Sequence, residues 1–157
     1  MAAPRADSAL AVEDRLHAAL ALVRVVVTVN MVGLNAYRRD NFAHPTVALA
    51  IVVALAAWTV VAIWLYRDRS RRTPALLVAD LAIVLAAMAV TPWVKSPDFN
   101  ATIPGFWVMG ALLAWAIHWH WRGGLVAAAL ISASDLLPRA EIDQSNYGNV
   151  FLILIGG

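Results

Sequence analysis

The sequence contains no cysteine. Disulfides, c-type haem attachment and thiolate metal sites are therefore excluded. Charge is scarce as well. Asp, Glu, Lys and Arg make up 14% of the 157 residues, against about a quarter in a soluble domain. Lysine occurs once, as Lys95, among twelve basic residues, a bias that with abundant Ala and Val hints at a GC-rich bacterial genome. The basic residues are scattered and the net charge is only +2, so no footprint for nucleic acid is visible. The H-E-x-x-H helix, P-loop, nucleophile elbow and paired-glycine dinucleotide fingerprint are all missing. Catalysis by these residues is not expected, nor is a bound cofactor or metal. Broken helices and related halves, the marks of many transporters, do not stand out, although Gly33 and Gly110 lie inside apolar runs.

What the chain does have is hydrophobicity. Apolar residues reach 62% and the mean hydropathy is +0.71. The excess sits in long continuous runs, which is the signature of membrane helices rather than of a large core. Residues 1–15 mix both signs of charge, and the following run carries Arg24 and ends without an A-x-A site. That pattern fits a cytoplasmic leader rather than a cleaved signal. The runs predict spans over residues 16–37, 46–66, 74–93, 106–121 and 125–137, with a sixth starting near 148 and incomplete at 157. Pro45 and Pro74 suit the first turns of the second and third. Arg122-Gly123-Gly124 reads as a tight turn between antiparallel fourth and fifth spans. The expected fold is an all-α membrane protein, a six-span helical bundle with its last span truncated and further domains beyond it.

Orientation follows from Arg and Lys in the short loops. With the N-terminus inside, seven basic residues face inward and four outward; the decisive group is Arg67, Arg69, Arg71 and Arg72 after span two. The expectation is a multi-pass protein of the bacterial cell membrane with a cytoplasmic N-terminus. Tyr37, Trp64, Tyr66, Trp93, Trp107, Trp119, Trp121 and Tyr147 fall near the predicted interfaces, where amphipathic rings anchor. Trp58 and Trp115 lie mid-span and suit packing between helices.

Charges inside spans raise a functional question. Arg24 and Asp80 fall at similar depth, about 9–12 Å from the inner end of parallel spans. A pair between them would offset the cost of burying either; the plainer reading is a structural clamp, or Arg24 snorkelling to the inner interface, and the sharper one a signal-coupled switch or ligand contact. Thr28, Met31 and Asn35 share the Arg24 face, which should point into the bundle, while Asn30 lies on another. Asp135, flanked by Ser132 and Arg139, reads either as a local ion pair or as part of an outward polar pocket. His118 and His120, two apart, fall on opposite sides of a helix and suit no two-ligand metal site.

Several segments resemble a known family in their order and spacing: Arg24-Val25-Val26, Leu34-Asn35-Ala36 through Asp40, Ala43-His44-Pro45, Leu77 to Leu81, Phe106-Trp107-Val108, Trp121 to Gly124, Ser134-Asp135-Leu136 and Tyr147 to Phe151. The chain is similar over nearly its whole length to the N-terminal membrane domain of the MacS-family sensor histidine kinases of actinobacteria. That resemblance implies the input domain of a two-component system, passing a membrane or envelope signal to a cytoplasmic kinase after residue 157. It implies a homodimer through that cytoplasmic part, a cognate response regulator, and ATP and Mg only in the kinase. The residues by themselves leave open a small transporter or structural membrane subunit, and a membrane enzyme using Asp80 or Asp135. The bilayer is a partner in every reading.

Overall fold

The computed structural model of the chain describes residues 3–96, 101–137, 151 and 153–155. It is all-helical, with 89% helix and no strand among the described residues. Helix α1 runs Ala3–Tyr37, α2 Pro45–Arg67, α3 Pro74–Val94 and α4 Met109–Leu136. Prolines open α2 and α3 at positions where a missing N–H is harmless. The Thr73 hydroxyl caps α3 by accepting from the Leu76 amide at 3.3 Å. At the other end of α3, the connection after α1 is tied down: Phe42 pairs with Lys95, and the His44 amide donates to the Val94 carbonyl at 3.2 Å.

Three helices are long and apolar enough to cross a membrane: Ala11–Tyr37 within α1, Pro45–Arg67 and Pro74–Val94. Their 27, 23 and 21 residues correspond to roughly 40, 35 and 32 Å, against about 30 Å of hydrocarbon. Their outward faces are apolar; Leu22 is 66% exposed and Val60 69%. Such a continuous apolar exterior suits lipid rather than water. Inside, Met31, Leu55, Val84, Leu112 and Ile131 form the centre of the core.

Two boundaries differ from the sequence reading. Helix α1 begins at Ala3 rather than near residue 16, so residues 3–15 run into the first apolar stretch as one helix. Carboxylates of that stretch reach the arginines after α2, which extends the helix beyond its apolar part. Spans four and five also differ from 106–121 and 125–137. A 3-10 turn at Gly105–Val108 leads into α4, and α4 reverses at Trp119 and His120, not at Gly123-Gly124. In a straight helix Met109 and Asp135 would lie roughly 39 Å apart; here they line one cavity. The two arms, residues 109–118 and 121–136, are about 15 and 24 Å long, each less than a bilayer's hydrocarbon. Gly123 and Gly124 are buried inside the second arm, and the missing side chain of Gly123 lets the arms close on each other.

The reversal is made by a histidine rather than a glycine. His120 has φ 55° and ψ −152°, a combination nearly confined to glycine and costing other residues about 1–3 kcal/mol. His120→Gly is therefore expected to stabilise the protein by about 1 kcal/mol, after glycine's greater unfolded-state entropy is subtracted. A rise in the unfolding midpoint in mixed micelles checks this; a fall would show that the imidazole itself holds the turn.

Candidate functional site: a buried charge cluster between two cavities

Arg24 projects from α1 and Asp80 from α3, 2% and 0% exposed. The structure brings them together as a two-pronged pair. Arg24 Nη1 donates to Asp80 Oδ1 at 3.3 Å, and Nη2 donates to Oδ2. The carboxylate accepts two further bonds from α2: Trp58 Nε1 to Oδ1 at 2.8 Å and the Tyr66 hydroxyl to Oδ2 at 3.3 Å. Each oxygen thus has two donors, which fills a carboxylate's accepting capacity. Arg24 Nη2 also donates to the Gly110 carbonyl of α4 at 3.0 Å. One ion pair therefore bonds all four helices. The Tyr66 ring lies 5.2 Å from the guanidinium carbon, adding a cation–π contact. Arg24 Nε is buried with no hydrogen-bond partner among the described residues.

Gly110 permits this closeness. A Cβ there would stand 3.2 Å from Arg24 Cγ and Nη1, so a larger residue would press the guanidinium off Asp80.

One turn along α1, Thr28 Oγ1 meets Thr59 Oγ1 at 2.9 Å, and Trp107 Nε1 donates to Thr59 Oγ1 at 2.8 Å. Two turns further, Asn35 Nδ2 donates to the carbonyls of Met31 at 2.8 Å and Ile103 at 2.9 Å. The polar face of α1 is thus satisfied layer by layer, by side chains of other helices, by a carbonyl of the connection before α4 and by its own backbone, as burial requires. Trp107 and Tyr66 are corrections to the interfacial-anchor reading. Both rings are buried, because each carries a donor that an acceptor inside the bundle needs. Tyr37, Trp64, Trp93 and Trp121 are exposed; Tyr147 lies outside the described residues.

Beyond these layers, a cavity of about 400 Å³ opens at the end away from the arginine cluster. Asn30, Asn35, Arg38 and Asp135 line it, so Asn35 and Asp135 share a site distant from Arg24 and Asp80. Asp135 is buried, as is Ser132; Arg139 lies outside the described residues. At the opposite end, a cleft of about 810 Å³ leads from the arginine cluster to Arg24 and Tyr66. Arg69 pairs with Asp14, and Arg72 Nη1 lies 3.2 Å from Asp14 and 3.4 Å from Glu13. Arg72 Nε donates to the Tyr66 carbonyl at 2.8 Å, satisfying the end of α2. Arg71 sits 3.3 Å from Asp68 and over the Trp64 ring, and Arg67 is exposed on the cleft. Hydrogen bonds from the Ser70 hydroxyl and amide hold the Asp68 carboxyl below the usual carboxylate range.

His118 ends the first arm and His120 lies in the reversal itself, so the two do not occupy opposite sides of one helix. No group of three metal-ligating side chains occurs among the described residues.

Trp58, Tyr66, Thr59 and Gly110 belong to this site although sequence reasoning gave them no such role. The usable signal was Asp80 itself: a buried carboxylate needs about four donors, and Arg24 supplies only two. Trp58 and Tyr66, two helical turns apart, lie near one face of α2.

Fold and site together define an α-helical bundle consistent with a membrane protein, built around a buried ion pair. The chain belongs to the family of unknown function DUF5931, whose model matches residues 5–157. No curated protein and no solved structure matches it.

Proposed function

We propose that this chain is the membrane-embedded input domain of a two-component sensor histidine kinase, as its resemblance to the MacS-family membrane domains implies. The observation that carries the reading is the Arg24–Asp80 cluster. Its bonds join four helices, so one helix cannot slide without breaking charge-assisted bonds. Such a core favours discrete packings over continuous drift, and a signal acts by stabilising one packing over another. In this reading α1, α2, α3, the two short arms of α4, accommodated by local thinning of the bilayer and shielding by neighbouring helices, and the segment from 148 are six spans. The N-terminus and the arginine cluster are cytoplasmic, following the preference of arginine for that side. The kinase, with its ATP and Mg, follows residue 157 and forms the homodimer, and a response regulator takes the phosphoryl group.

The test is to purify the full-length gene product into vesicles and supply ATP labelled at the γ-phosphate. Acid-labile phosphohistidine, altered in rate by Asp80→Asn at unchanged membrane expression, is the expected result. A gene product that takes up no label, or whose rate ignores Asp80, overturns it.

A small-molecule transporter is the second reading. It draws on the two cavities at opposite ends, separated by the Arg24–Asp80 and Thr28–Thr59–Trp107 layers. Its test is uptake of solutes by protein-loaded vesicles.

A further inference from the structure

We propose that the cavity opposite the arginine cluster is a binding site for a small, neutral, aromatic amphiphile. Its volume, about 400 Å³, falls in the range of about 300–1,000 Å³ that holds drug-sized ligands. The floor supplies the class of ligand. The chain has four methionines, one of them Met1, and the other three, Met31, Met88 and Met109, all line this cavity. They come from α1, α3 and α4. Thioether side chains adapt to irregular shapes and favour the edges of aromatic rings. Three helices contributing one each at one place makes a polarizable, compliant bed.

The polar residues supply the net charge. Among the described lining residues stand one cation, Arg38, one carboxylate, Asp135, and the amides of Asn30 and Asn35. A charged ligand would meet both signs and gain little in sum. A neutral molecule with a hydroxyl or carbonyl end finds donors and acceptors together. The Asn35 Nδ2 hydrogens are taken by Met31 and Ile103, which leaves its Oδ1 to accept from a ligand hydroxyl.

The wall of the cavity connects it to the rest of the bundle. Ile103, Phe106 and Val108 line the site, while Trp107 between them donates to Thr59. An occupant touching this wall therefore bears on the layer next to Arg24 and Asp80. For that consequence the proposal rests on the sensory reading above; for occupancy alone it does not.

The experiment is calorimetric titration of the full-length protein in lipid nanodiscs, with empty nanodiscs as the blank. Three ring-matched probes are compared at neutral pH: 2-naphthol, 2-naphthoate and 2-naphthylmethylammonium. The expected result is saturable one-site binding of 2-naphthol, at least tenfold tighter than of either charged probe. Met109→Trp, which fills the cavity, should weaken it tenfold or more. Asn30→Ala, at an exposed lining position where folding is not at stake, should weaken it several-fold. Heat indistinguishable from empty discs overturns the proposal, as does a charged probe that binds as tightly. So does a phospholipid seen by native mass spectrometry that 2-naphthol does not displace. A failed titration with intact phosphohistidine formation removes only this site. A saturable titration without phosphohistidine removes only the kinase reading.

Discussion

Replacing Asp80 with Ala should destabilise the bundle by about 3–5 kcal/mol, the range for breaking a buried ion pair from one side. The substitution takes both carboxylate partners from the Arg24 guanidinium and leaves it the Gly110 carbonyl. It also strands the Trp58 and Tyr66 donors. Arg24→Met should cost a similar amount, since it leaves a fully buried carboxylate without its counter-charge. Combining Arg24→Met with Asp80→Leu removes both charges at once. The loss in that double variant should be well below the sum of the singles, because apolar groups of similar volume avoid the desolvation that ions require. Unfolding of the two single variants, the double variant and the parent protein in mixed micelles gives the coupling. Strictly additive losses would sink the claim that the two residues act as a unit. Asp80→Asn, which keeps shape and some hydrogen bonding but not charge, should fall between wild type and Asp80→Ala.

The long helices were legible because apolar runs over 20 residues have few alternatives, and because Pro45 and Pro74 mark two starts. Arg24 and Asp80 were legible for a related reason: a charge within such a run stands out. Their partners were not. Trp58 and Tyr66 are ordinary membrane-helix residues until the carboxylate they serve is located, and Gly110 until Arg24 lies across it. The α4 reversal was misplaced because glycine pairs signal turns through their freedom at positive φ. Here Gly123 serves close packing instead, and the positive φ falls on His120. Local sequence offers no sign of that exchange, because the demand on Gly123 comes from Trp115 and Trp119, which face it across the turn.

That exchange makes Gly123→Ala the second large effect. A Cβ at Gly123 would stand 2.5 Å from the Trp115 carbonyl oxygen and 2.6 Å from Trp119 Cβ. Neither is the flexible end of a side chain, so the arms of α4 must part. Parting them draws Ala127, Ala128 and Ile131 away from Ala111 and Leu112, all fully buried in one core. It also strains the bond from Trp115 Nε1 to the Leu77 carbonyl, 2.9 Å long. Overpacking of a tight core costs about 1–3 kcal/mol and occasionally more; with backbone as the obstacle, Gly123→Ala should lose about 3 kcal/mol. Gly33→Ala is the matched control. A Cβ there meets nothing within 4 Å, and the position is interior to α1, so alanine should gain about 0.5–1 kcal/mol from helix propensity alone. The two substitutions add the same methyl group to glycines of the same bundle. If their unfolding midpoints in mixed micelles move together, the hairpin's need for Gly123 is refuted; opposite shifts, with the larger at Gly123, are the expected outcome.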